Sequence, residues 1–137
     1  MSILDEIAHP FWGRVIRVEG YEGWHCPIEE RLSDGTLVSI RVEFDDPDNE
    51  IVQQNYTAIR ERWDQIWVRI QERIGEMKAA YGYGGIPIQA ESDWFELKPP
   101  VDSIDEGAEW SVMLQDDEAG WLIDFAGWGD DGGQGVF

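Results

Sequence analysis

Apolar and polar residues alternate in several stretches of this chain. In Thr36–Phe44, the residues Val38, Ile40, Val42 and Phe44 alternate with Leu37, Ser39, Arg41 and Glu43. A period of two puts one set on a core and the other in water, so this stretch reads as a half-buried strand. Phe11–Val18 repeats the pattern with Trp12, Ile16 and Val18, interrupted by Arg14. Trp24–Leu32 does so with Trp24, Cys26, Ile28 and Leu32. Ser33-Asp34-Gly35 separates the last two stretches and suits a hairpin turn, because Asp-Gly tolerates positive φ. Pro27 has no N–H for a ladder, which predicts an edge or a bulge at that point.

The pattern then changes period. Val52, Tyr56, Ile59, Trp63, Ile66, Ile70, Ile74 and Met77 recur at helical spacing. They form a single stripe on one long helix of about seven turns. Asp46 is placed to cap its start and Pro47 to occupy its first turn, with Asp48 and Glu50 favoured there by the helix dipole. Gly82, Gly84 and Gly85 end it. Period two returns in Asp93–Leu97, in Trp110, Val112 and Leu114, and in Trp121, Ile123 and Phe125. Asp116-Asp117-Glu118-Ala119-Gly120 joins the last two as a hairpin. Gly127 to Phe137 is glycine-rich and reads as a loose tail. The expected architecture is one α+β domain over 1–137, in the order β-β-β-α-β-β-β. One long helix lies across a face of a mainly antiparallel sheet.

Charge narrows the function. Asp and Glu number 29 against 10 Lys and Arg, a net charge of -19 in 137 residues. Such a field repels nucleic acid and anionic membranes and attracts basic proteins. The excess is uneven, since residues 91–137 hold thirteen acids and the single base Lys98. With 42% apolar residues and eight Trp, the acidity belongs to a folded body and not to a disordered tail. Cys26 is the only cysteine, which excludes an intrachain disulfide. The start of the chain is acidic and lacks the apolar run of a signal peptide. No stretch approaches the roughly 20 apolar residues of a membrane helix, so a cytoplasmic protein is expected.

The chemistry-bearing residues form no catalytic signature. Asp45, Asp46 and Asp48 could attract a hard cation, but the sixth residue from Asp46 is Ile51 and the twelfth is Thr57. A calcium loop needs Gly and Glu there, so these acids are expected to be turn and cap residues. Asp93, Glu109 and Asp124 lie beside tryptophans and are the carboxylates to inspect for acid–base work. His25 and Cys26 are adjacent, so a strand points them to opposite faces and they cannot act as a nucleophile–base pair. Gly132-Gly133-Gln134 matches a release-factor tripeptide, but Asp130 and Asp131 precede it where RNA would require bases. Nothing calls for a cofactor. Eight Trp are more than a core of this size hides, which singles out Trp67 and Trp128 as interface anchors. Around them Asp116, Asp117, Glu118, Asp130 and Asp131 supply an acidic rim.

Three features carry a resemblance: Phe11-Trp12-Gly13 before a strand, Trp24 heading a strand that turns through Asp34-Gly35, and the long helix ending at Tyr81. The Trp110…Gly120-Trp121-Leu122-Ile123-Asp124-Phe125 hairpin adds to it. Together they resemble a loose set of small bacterial proteins, including immunity-like members of contact-dependent and polymorphic toxin systems. The resemblance implies an α+β domain and offers no catalytic residue to carry over. Two other readings stand beside a binder of basic protein. One is a small hydrolase or carbohydrate-binding protein with a Trp-lined acidic cleft. The other is a structural domain that dimerises through a sheet edge or Trp67.

Overall fold

The computed structural model describes residues 2–33, 35, 37–81, 94–115 and 120–136. Eight strands form one sheet in chain order. They are β1 (Ile3–His9), β2 (Gly13–Val18), β3 (Trp24–Arg31), β4 (Leu37–Phe44), β5 (Trp94–Lys98), β6 (Glu109–Gln115), β7 (Gly120–Ala126) and β8 (Gly129–Val136). Helices α1 (Glu50–Glu61) and α2 (Trp63–Tyr81) lie between β4 and β5. All neighbours pair antiparallel except β4 and β5, which are parallel. Parallel neighbours require a crossover, and the helical pair supplies it.

The α+β class with a mainly antiparallel sheet therefore stands, but four details differ from the sequence reading. Four strands precede the helices and four follow, where three and three were expected. The helical segment is two helices, interrupted at Arg62 (φ -106°, ψ 14°). The apolar stripe runs through the interruption without losing phase: Ile59, Trp63 and Ile66 are all buried. The helix begins later than Asp46 and Pro47. Asn49 is the cap, and its Oδ1 accepts from Val52 N at 3.1 Å, while Asp46 accepts from Asp48 N in the preceding turn. The expected tail is strand β8, paired to β7 from Val136 opposite Gly120 to Gly129 opposite Ala126.

Trp128 helps anchor that last strand. Its indole N–H donates to Asp105 at 2.8 Å, its edge meets Trp110, and Arg62 lies 4.1 Å above its ring. Gly127 makes the turn with φ 58°, and its N–H donates to Ala108 O at 2.9 Å. Pro27 also finds its explanation. Pairing of β3 with β2 is confined to Ile16 opposite His25, so β3 is unpaired on that side where Pro27 stands.

One sheet face packs on the helices. Cys26, Val42, Phe44, Leu97, Val112 and Trp121 meet the stripe of α1 and α2 in a continuous core. Buried polar contacts tie the layers. Tyr56 of α1 donates to Glu30 of β3 at 2.7 Å, and Arg60 donates to the other Glu30 oxygen at 3.1 Å. Burial, then the Glu30 hydrogen bond, pushes the Tyr56 phenol far above its ordinary range. Tyr56→Phe should cost about 1–3 kcal/mol, because it leaves a buried carboxylate oxygen without its donor. The shift of the urea midpoint at constant slope measures it.

Candidate functional site

The sheet face away from the helices carries the one densely charged cluster among the described residues. Strand alternation sends His25 of β3, Arg41 and Glu43 of β4 and Glu96 of β5 to this face. Register brings them together, with His25 opposite Glu43 and Arg41 opposite Glu96. Arg41 Nη2 donates to Glu96 Oε1 at 2.8 Å. His25 Nε2 stands 3.8 Å from Glu43 Oε1. Tyr21 covers the cluster, its ring at a steep angle to His25 and 5.3 Å from the Arg41 guanidinium.

Burial, and then the neighbouring Glu43 carboxyl, push Glu96 up to about 7, against the opposing pull of Arg41. His25 is 1% exposed, and its pKa is lowered, chiefly by burial. Its Nδ1 has no hydrogen-bond partner among the described residues. The arrangement can hold and exchange a proton near neutral pH. It presents no thiol, because Cys26 points to the other face. There its thiol donates to Trp12 O at 3.2 Å, and burial pushes its pKa up to about 11.

The residues singled out from sequence fall in other places. Trp67 is half-buried and packs beside Trp63 against the core. Trp128 spends its N–H and one ring face within the fold. Asp130 and Asp131 lie in β8. Asp116, Asp117, Glu118 and Asp93 lie outside the described residues. Asp45 faces Lys98 at 3.7 Å, Asp46 caps a turn, and Asp48 accepts from His9 at 2.8 Å, so the three acids have separate partners. No three His, Cys, Asp or Glu groups converge as metal ligands among the described residues. Glu109 and Asp124 do line one depression with Trp110. Trp110 is buried and stacked on Phe125, and its N–H donates to Gly127 O, so it offers no open face to a sugar ring.

Electrostatics distinguish the surface more sharply than any single group. Each of the ten cationic side chains has a partner within the chain, although those of Arg14, Arg60, Arg69 and Lys98 are more than half exposed. Arg14 pairs with Glu6, Arg41 with Glu96, Arg60 with Glu30, Arg69 with Glu72, Arg73 with Glu76 and Lys98 with Asp45. Arg17 lies over Trp24, Arg62 over Trp128, and Arg31 donates to Gly35 O. Lys78 is buried and partnered. By contrast, the carboxylates of Glu19, Glu22, Glu29, Glu50, Glu61, Glu109 and Asp124 are exposed, with no ion pair among the described residues. No described helix is long and apolar enough to cross a membrane.

No family model matches this chain, and neither the curated proteins nor the solved structures yield a match.

Proposed function

We propose that this is a non-enzymatic, acidic binding protein of the cytoplasm that sequesters a basic protein, as an immunity protein does. The observation that carries the reading is the imbalance of commitment: every cation has a partner within the chain, while exposed carboxylates such as Glu19, Glu22 and Glu29 have no ion pair among the described residues. With a net charge of -19, such a surface is predominantly negative. It steers a cationic partner into encounter and repels acidic competitors. The surplus also works against the fold through self-repulsion, so salt should raise stability while weakening binding.

The hydrolase reading has a candidate in the Glu43–Glu96 pair, but Arg41 is already bonded to Glu96 and Tyr21 covers the group. A symmetric dimer through the β1 edge would lay the exposed Asp5 of each copy along an acidic neighbour strand, which opposes it. The test is retention of lysate proteins from the source cell on the immobilised protein at low salt. A basic protein eluted by salt, and rebinding after purification, is the expected result. Retention of acidic proteins alone, or of nothing while the partner is demonstrably expressed, would refute the reading.

A further inference from the structure

The outer side of α1 carries a groove that neither the core nor the charged cluster uses. The inward stripe of this helix is Val52, Asn55, Tyr56 and Ile59. The outward residues Glu50, Gln53, Gln54, Thr57, Ala58 and Glu61 line a depression of about 530 Å³ whose far wall is Phe11. Phe11 is 43% exposed because the next residue, Trp12, takes the core position beneath it.

The wall is firmly placed. Phe11 N donates to His9 Nδ1 at 3.1 Å, and His9 Nε2 meets Asp48 just before the helix at 2.8 Å. Since Nδ1 accepts, Nε2 carries the proton and donates to Asp48. Trp12 Nε1 donates to Pro47 O at 3.0 Å, and the Phe11 ring stands edge-on to Trp12 at 4.7 Å. The β1–β2 turn is thus tied to the start of α1, and Phe11 holds a fixed position beside the helix. Gln54, Thr57 and Ala58 form the middle of the groove. The two ends are carboxylates without an ion-pair partner among the described residues, Glu50 and Glu61. Eleven residues of helix separate them by roughly 16 Å.

We infer that this groove receives a cationic amphipathic helix of the partner, with two basic side chains three turns apart and an apolar residue between them. The inference rests on the acidic-binder reading and assigns its surface. A second helix has the same rise as α1, so cations on one of its faces can meet Glu50 and Glu61 together. Its apolar residue then covers Phe11 and Ala58. A second copy of this chain does not fit, because its own acidic stripe would face this one.

The probe is a synthetic helical peptide with two arginines three turns apart and leucines between them on the same face. Its control is the same composition with the leucines moved to the opposite face. Amide chemical shifts of the isotope-labelled full chain report where each peptide binds. The expected result is perturbation centred on Phe11 and on Glu50 to Glu61, with the control peptide weaker. Glu50→Lys with Glu61→Lys should weaken the probe by about tenfold, and Glu19→Lys with Glu22→Lys by about twofold at most. Equal loss from both double reversals, or shifts spread over the acidic surface, would overturn the groove and leave the acidic-binder reading standing. No binding of either peptide at low salt would overturn both.

Discussion

Asn55→Asp should destabilise the protein by about 4 kcal/mol at neutral pH, the largest effect we expect from so small a change. Asn55 is 5% exposed on α1. Its amide donates to Pro100 O at 2.9 Å and to Asp102 O at 2.8 Å, and its Oδ1 accepts from Ile104 N at 3.1 Å. One side chain thereby satisfies three backbone groups of the segment that leads to β6. It also seats Ile104, which is 1% exposed, in the core. The aspartate keeps one of these contacts. It turns an oxygen toward two carbonyl oxygens and buries a charge without a partner. Urea unfolding at neutral and at acidic pH checks this. Protonation restores one donor, so part of the loss should return in acid. A loss below about 1 kcal/mol would mean that Asn55 does not hold the segment.

Stability should also fall as pH rises from about 5 to 8, by on the order of 2 kcal/mol from Glu96 alone. The carboxyl of Glu96 is raised from 4.5 to about 7 in the fold. A raised folded value means the native state holds the proton more tightly than the unfolded chain. Its contribution is therefore complete below about 4.5 and disappears as pH passes about 7. The magnitude is discounted because 20% of the side chain remains in water. Glu96→Gln keeps an oxygen for Arg41 and removes the group that must lose a proton. The variant should match the parent near pH 5 and exceed its stability near pH 8. Parallel stability–pH curves for the two proteins would show that Glu96 is not the group that titrates.

What the sequence revealed depended on whether side chains or backbone define an element. Strands β4, β6 and β7 each bury one face, so Val38 to Phe44, Trp110 to Leu114 and Trp121 to Phe125 alternate legibly. Strand β1 is an edge exposed along most of its length, and without a buried face its residues have no reason to alternate. Strand β8 is written as Gly129-Asp130-Asp131-Gly132-Gly133-Gln134-Gly135-Val136 and is specified by pairing to β7, which leaves little trace in composition. The break at Arg62 was hidden because the buried stripe of α1 continues in phase into α2. Asn49 won the cap over Asp46 because the Asp46 carboxylate was already used by the Asp48 N–H.

The charged cluster was harder still. Glu43 and Glu96 meet only because β5 pairs parallel to β4, a juxtaposition across the helical crossover that local periodicity does not encode. The outward parity of Arg41 and Glu43 was visible in β4. The residue that would face them was not. For the tryptophans, counting alone suggested free anchors, but the Trp128 N–H finds its acceptor in Asp105, in the short helical turn that starts at Ile104.

An acidic surface that binds a cationic protein draws it in by long-range steering. The most direct test is the association rate constant between this chain and the purified partner, measured as ionic strength is raised. A fall by a factor on the order of 10 to 100 is expected, with the dissociation rate much less affected. An association rate that stays constant from low to high salt would contradict it.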